Sequence, residues 1–176
     1  RNGQLSYAST GNGTTGHLAM TRFAAANNIN LAHAAYRSGG LALNDAVAGH
    51  VDMIIGSAAL LAPMLASERL RPIVQLSDTR LPALSAVPTS GEAGFPDFLA
   101  ETWWGILAPT RTPAALVARM LEEAKAVFTE EATAKQVTET QQARLRLDGP
   151  DAMRQFLDGQ IRIWGDVIRT HAIKAD

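Results

Sequence analysis

"YASTGNGTTGHLAM", residues 7–20, runs from alternating apolar and polar side chains into three glycines and out into a helical pattern, and its reading decides the fold. Gly11, Gly13 and Gly16 have the spacing G-x-G-x-x-G, which between a strand and a helix is the fingerprint of dinucleotide binding. The same stretch suits a different ligand. Ser9, Thr10, Thr14 and Thr15 supply hydroxyls, while Gly11, Gly13 and the first helical turn bring backbone N–H groups to a helix N-terminus, which favours any small anion, a carboxylate included. A third reading needs no ligand: Thr14 caps the helix and the glycines make a tight turn.

Outward from this loop the pattern repeats. "QLSYAST" (4–10) reads as a strand, and the helix after it starts near Thr14 or Thr15 with Leu18, Phe23 and Ala26 inward. "INLAHAAY" (29–36) is the next strand, "GGLALNDAVAG" (39–49) the next helix, and "HVDMIIG" (50–56) a third strand with apolar residues on both faces. Strand and helix in alternation predict a parallel sheet flanked by helices, an α/β fold. "SAALLAPMLASE" (57–68) continues as a helix, "LRPIVQLS" (70–77) as a strand, and 81–96, with three prolines and two glycines, as a long surface connection. "AETWWGILAPT" (100–110) reads as a buried crossing strand. In "TPAALVARMLEEAKAVF" (112–128) Thr112 caps and Pro113 opens a helix whose stripe is Leu116, Val117, Met120, Leu121, Ala124 and Val127. A short strand "ARLRLD" (143–148) and a last helix from Asp151 to Thr170 complete the chain.

Two observations weigh against a dinucleotide. The first strand carries Gln4, Ser6, Ser9 and Thr10 where a central Rossmann strand is continuously apolar, and the ribose position, about 20 residues on, holds Tyr36 and Arg37 with no acidic residue before Asp45. NADP survives only through Arg37, as a partner for the 2′-phosphate. A second loop favours the anion reading: "YRSGGLALND" (36–45) again puts a strand end, the hydroxyl of Ser38 and two glycines, Gly39 and Gly40, before a helix. Ser57 places a third small polar group after the third strand, so all three meet at the carboxyl edge of one sheet, where ligands of such folds bind.

Catalytic patterns do not emerge. His17, His33, His50 and His171 have no metal-ligand spacing and read as ordinary surface or helix residues; Ser9 lacks a G-x-S-x-G elbow. Glu122, Glu123, Glu130 and Glu131 read as a solvated helix face, and Asp45 and Asp52 as structural. Trp103 and Trp104 read as core, with closure over a ligand as the alternative.

At 176 residues and 47% hydrophobic, the chain is long enough to bury a core as one large domain or two small lobes. A formal net charge of −1, with no run of Lys or Arg, disfavours nucleic acid and anionic membranes as partners. The absence of cysteine removes disulfides, thiolate metal sites and cysteine nucleophiles. Met53–Ala66, the most apolar stretch, is shorter than the roughly 20 residues a membrane helix needs and contains Pro63. Arg1 opens directly into polar sequence, so no secretory signal is read here.

Five stretches in order, "YASTGNGTTGHLAM", "YRSGGLALNDAVAGHVDM", "LPALSAVPTSGEAGFPDF", "TWWGILAPTRTPAALVARM" and "WGDVIRTHAIKAD", make the chain resemble the solute-binding receptors of tripartite tricarboxylate transporters, the Bug-type receptors, over essentially its whole length. The resemblance implies a type II periplasmic-binding fold: two α/β lobes joined by crossing strands and closing on a small organic anion, with no enzymatic activity, cofactor or metal. It implies a periplasmic protein that delivers a mono- or dicarboxylate to the membrane components of a transporter. Carried over by residue, it assigns ligand contacts to Ser9, Thr10, Gly13, Thr14 and Thr15 in the first loop and to Tyr36, Arg37, Ser38 and Gly39 in the second; Gly11, Gly40 and Ser57 join them from the reading of the sheet edge. Ser38 stands where the family commonly has glycine, and Leu41 where it has proline or a small residue.

By the same comparison residues 4–106 are the second, ligand-binding lobe and 107–176 the C-terminal segment of the first, whose N-terminal part the chain lacks, so it is expected to be a fragment. Weak carboxylate affinity and self-association through the helices 113–128 and 151–170 are the expected consequences. Two other functions remain open at this point: the ligand-sensing effector domain of a transcription regulator, and an NADP-dependent oxidoreductase.

Overall fold

A computed structural model describes residues 3–174. Strand β1 (Leu5–Ser9) is the middle of a three-stranded parallel sheet in the order β2-β1-β3, with β2 at Leu31–Ala35 and β3 at Met53–Ile54. Leu5 lies opposite Leu31 and Ser9 opposite Ala35 on one side, and Tyr7 opposite Met53 on the other. Helices α1 (Thr15–Ala26) and α2 (Gly39–Ala48) make the two crossovers, and α3 (Ala58–Ala66) leaves β3, so the expected parallel α/β order holds through residue 66.

The centre of the sheet is packed with small residues. Ala8, Ala42 and Val51 are buried together, with Ala34, Tyr36, Ala46 and Ile54 against them, so α2 can lie close on the strands. The polar residues of β1 have partners, which is how a central strand accommodates them. The Ser6 N–H and hydroxyl both donate to Asp52 Oδ2 at 2.8 Å, and the Asp52 N–H donates back to Ser6 Oγ at 3.1 Å, fastening the approach to the two-residue strand β3. Ser9 is fully buried, with its hydroxyl 2.7 Å from His33 Nε2. Polarity in this strand is therefore no sign that it lies at an edge.

Beyond residue 66 the expected strands give way to irregular structure. Residues 70–77 form no strand: Pro72 lacks a donor for a ladder, and the pairing here is a single bridge between Gln75 and Thr89. Gln75 instead organises the segment that follows. Its N–H donates to Pro88 O and its carbonyl accepts from Ser90 N, both at 2.8 Å; its side-chain amide donates to Leu84 O (2.9 Å) and Val87 O (2.8 Å) and accepts from Leu81 N (2.9 Å). A 3₁₀ turn, Pro82–Leu84, lies inside this loop, and Val87, Thr89 and Ser90 are buried, so 81–96 is more than a surface connection. Phe23 of α1 packs on Phe95 and Phe98, as an inward residue should, whereas Ala26, in the last turn, is exposed.

The chain separates into two compact units, one running through Thr102 and resuming at Gln160, the other Trp103–Gly159. In the second unit 103–109 has no strand; Trp104 is 80% exposed, and Trp103 meets Phe156 edge to face at 5.3 Å. Residues 143–148 likewise form no strand, having no neighbouring strand with which to pair. Helix α4 (Ala114–Thr129) starts one residue later than expected, with Pro113 rather than Thr112 at the cap, and buries no residue of its stripe. A short α5 (Glu131–Lys135) and a π-helical turn (Gln136–Thr140) follow, then α6 (Pro150–Thr170). No helix of the described residues is long and apolar enough to cross a membrane.

Candidate functional site

Because the three strands are parallel, their carboxyl ends lie at one edge, and each runs there into a helix N-terminus. Helix N-termini carry N–H groups outside the intrahelical ladder and the positive end of the helix dipole, so α1, α2 and α3 present donors at this edge.

The loops are held by their own hydroxyls. The Ser9 hydroxyl accepts from Gly11 N (3.3 Å) and lies 3.2 Å from Gly11 O, to which the Thr14 hydroxyl donates at 2.8 Å. Thr14 is therefore the cap residue of α1 by position but not by side chain. Ser38 and Ser57 do cap with their side chains, accepting from Leu41 N and Leu60 N, both at 3.4 Å. Of the hydroxyls expected to meet an anion, those of Ser9, Thr14, Ser38 and Ser57 thus hold backbone in place, and Thr10 stands exposed beside them.

Glycine is needed where the loops touch. Gly11 and Gly13 have φ of 124° and 72°, a region that side chains disfavour. A Cβ on Gly39 would lie 2.7 Å from Leu60 Cδ2 and 3.6 Å from Thr10 Cγ2, and one on Gly16 3.0 Å from Ile55 Cγ2, so all three loops are in contact. Tyr36 N donates to Ser9 O at 3.0 Å, joining the first loop to the second. Its hydroxyl donates to Asp45 Oδ2 at 2.7 Å; this bond raises the Tyr36 pKa and, together with His50, lowers that of Asp45. Arg37, Ser38 and Gly40 are exposed at this edge; Thr15 and Gly39 are half-buried.

Two residues that sequence reasoning passed over belong to the site's support. His33 is no surface residue: it faces Tyr7 across the ladder, stacks on it at 4.8 Å and stacks on His17 at 4.1 Å. His17 accepts from Gly13 N through Nδ1 at 3.1 Å. The available sign was position, since His17 is the third residue of α1, where a capping box places its acceptor. A hollow of about 300 Å³ is lined by Tyr7, His17, Met20, Asn30, His33 and His171, away from the glycines of the loops. No group of three or more His, Cys, Asp or Glu among the described residues could hold a metal ion.

Residues 1–173 match the family described as "Tripartite tricarboxylate transporter family receptor". The chain belongs to this family. A protein of Pseudomonas sp. (strain P51) from the tcbD-tcbE intergenic region is 43% identical over 122 residues, which are 69% of this chain and 36% of that protein. Among solved structures, one described as a periplasmic transporter superposes with TM-score 0.84 at 28% identity, covering 100% of this chain and 58% of its own. R. palustris Rpa4515 with adipate superposes with TM-score 0.81 at 26% identity, covering 98% and 57%. The fold is thus α/β of the periplasmic-binding kind found in tripartite tricarboxylate receptors, and the chain spans between about a third and three fifths of the length of these relatives.

Proposed function

We propose that this tripartite tricarboxylate receptor chain captures a small organic mono- or dicarboxylate in the periplasm for the membrane components of a transporter, and does no chemistry on it. The observation that carries the reading is the meeting of three helix N-termini in contacting loops at one sheet edge. A carboxylate there would be met chiefly by backbone N–H groups near Thr10, Thr15, Gly39, Gly40 and Ser57, directly or through water, with the Arg37 charge nearby, while Gly11 turns the first loop. Ser9, Gly13, Thr14, Tyr36 and Ser38 shape the loops that present them. In this reading 4–106 is the ligand-binding lobe and 107–176 the C-terminal segment of the other lobe.

Adipate, the ligand named with one structural relative, is a suitable first probe. Titration calorimetry with adipate and its uncharged diamide separates anion recognition from apolar binding. The expected result is heat with adipate and none with the diamide, and a weaker adipate response in Arg37→Ala. Equal binding of both compounds, or silence from a panel of mono- and dicarboxylates, would overturn the reading.

A further inference from the structure

The first loop is braced from below by a stack of rings, and one of its bonds has a fixed direction. A backbone N–H can only donate, so the 3.1 Å contact between Gly13 N and His17 Nδ1 requires a lone pair on Nδ1. An imidazolium would put an N–H there, facing another N–H. We propose that His17 is the positioning residue of the carboxylate loop and that it holds the loop only as the neutral imidazole, releasing it on acidification.

The surroundings make this more than an ordinary turn contact. The bond joins the third residue of α1 to the residue before Thr14, so it fixes both the approach to the helix and the left-handed φ of Gly13. On the far side of the loop the same service comes from His33 through Ser9, whose hydroxyl accepts from Gly11 N. The His17 and His33 rings lie parallel within 10° at 4.1 Å, and Tyr7 covers the other face of His33. Two imidazoles so placed resist carrying charge together. The titratable groups facing His17 are His33 on β2, Tyr7 on β1 behind it, and His171, which lines the same hollow. Gly11 N and Gly13 N are both turned onto side chains, so these two amides brace the loop, and the first-turn amides of α1 are among the donors it offers an anion. Their aim then depends on the two rings.

This proposal rests on the carboxylate reading for its functional side, but its structural side can be tested without ligand. In the wild-type chain, long-range ¹H–¹⁵N spectra of the histidine rings should show His17 Nδ1 as the unprotonated nitrogen, and the Gly13 amide shift should follow the His17 titration between about pH 5 and 8. His17→Asn keeps an acceptor at the reach of Nδ1 and cannot titrate, so its Gly13 amide should be indifferent to pH over this range. His17→Phe keeps a ring on His33 without an acceptor. Adipate affinity should fall about tenfold on acidification in the wild type relative to His17→Asn, and His17→Phe should be about tenfold weak at every pH, the loss of one hydrogen bond. A protonated Nδ1 at neutral pH, a Gly13 amide that ignores the His17 titration, or a His17→Asn affinity profile that matches the wild type would overturn the proposal. If the wild type binds no carboxylate at all, the function reading fails, and the two spectroscopic results still decide whether His17 positions the loop.

Discussion

Asp45 and Glu92 each gather several donors on one carboxylate, and the direction of their titration follows. Asp45 accepts from Tyr36 and pairs with His50 at 3.3 Å; Glu92 takes Arg80 Nε at 2.9 Å and Thr89 N at 2.8 Å. The bonds to Tyr36 and to Arg80 are the leading causes that lower the two pKa values from the ordinary 3.8 and 4.5. A carboxyl depressed by folding contributes stability that is complete above its unfolded value and is lost as pH falls through the folded one. Urea midpoints should therefore decline below about pH 4.5, and Asp45→Asn combined with Glu92→Gln should flatten some of that decline while leaving the profile between pH 6 and 8 parallel to wild type. Both aspartates, Asp45 and Asp52, are legible in the sequence as structural. His33 is not, because it acts on a single serine hydroxyl and such a contact leaves no spacing for a motif to record; for His17 the one sign is its place in the first turn of α1.

Elements were legible where one periodicity and one neighbour sufficed. α1, α2 and α3 each follow a strand of the same sheet, so the alternation that predicts them also predicts their packing. Residues 70–77, 103–109 and 143–148 have strand-like composition but no pairing strand, and composition cannot supply one. The fold of 75–96 depends instead on one side chain that uses both amide donors and its acceptor. Gln75→Leu preserves bulk and removes all three bonds, leaving Val87 O and Leu81 N without that partner and Leu84 O with Val87 N alone, in a buried to part-buried setting. It should cost about 2–4 kcal/mol of unfolding free energy, read from denaturant curves, and Gln75→Glu should be no milder, because one carboxylate oxygen would then face the Leu84 and Val87 carbonyls, acceptor against acceptor.

At the scale of the whole chain, apolar surface stands out. Leu116, Met120 and Val127 of α4 are 43–50% exposed, and Trp104, Ile106 and Leu107 more so. Exposed stripes of this size drive association, so sedimentation velocity should give a weight-average mass that rises with concentration. Leu116→Glu with Met120→Glu should suppress that rise without disturbing the sheet, as judged by circular dichroism. The convergence of three helix N-termini at one sheet edge was legible in the sequence, since three loops after three parallel strands must share it.

Gln75 also has a consequence for timing. In a regular sheet, backbone pairs can separate in succession from an end. Here Leu81, Leu84 and Val87 are tethered to a single side chain, and Pro88 and Ser90 to the backbone of the same residue. The loop has no frayed end from which to open by degrees, so its amides should be released together, in one event, when that glutamine lets go.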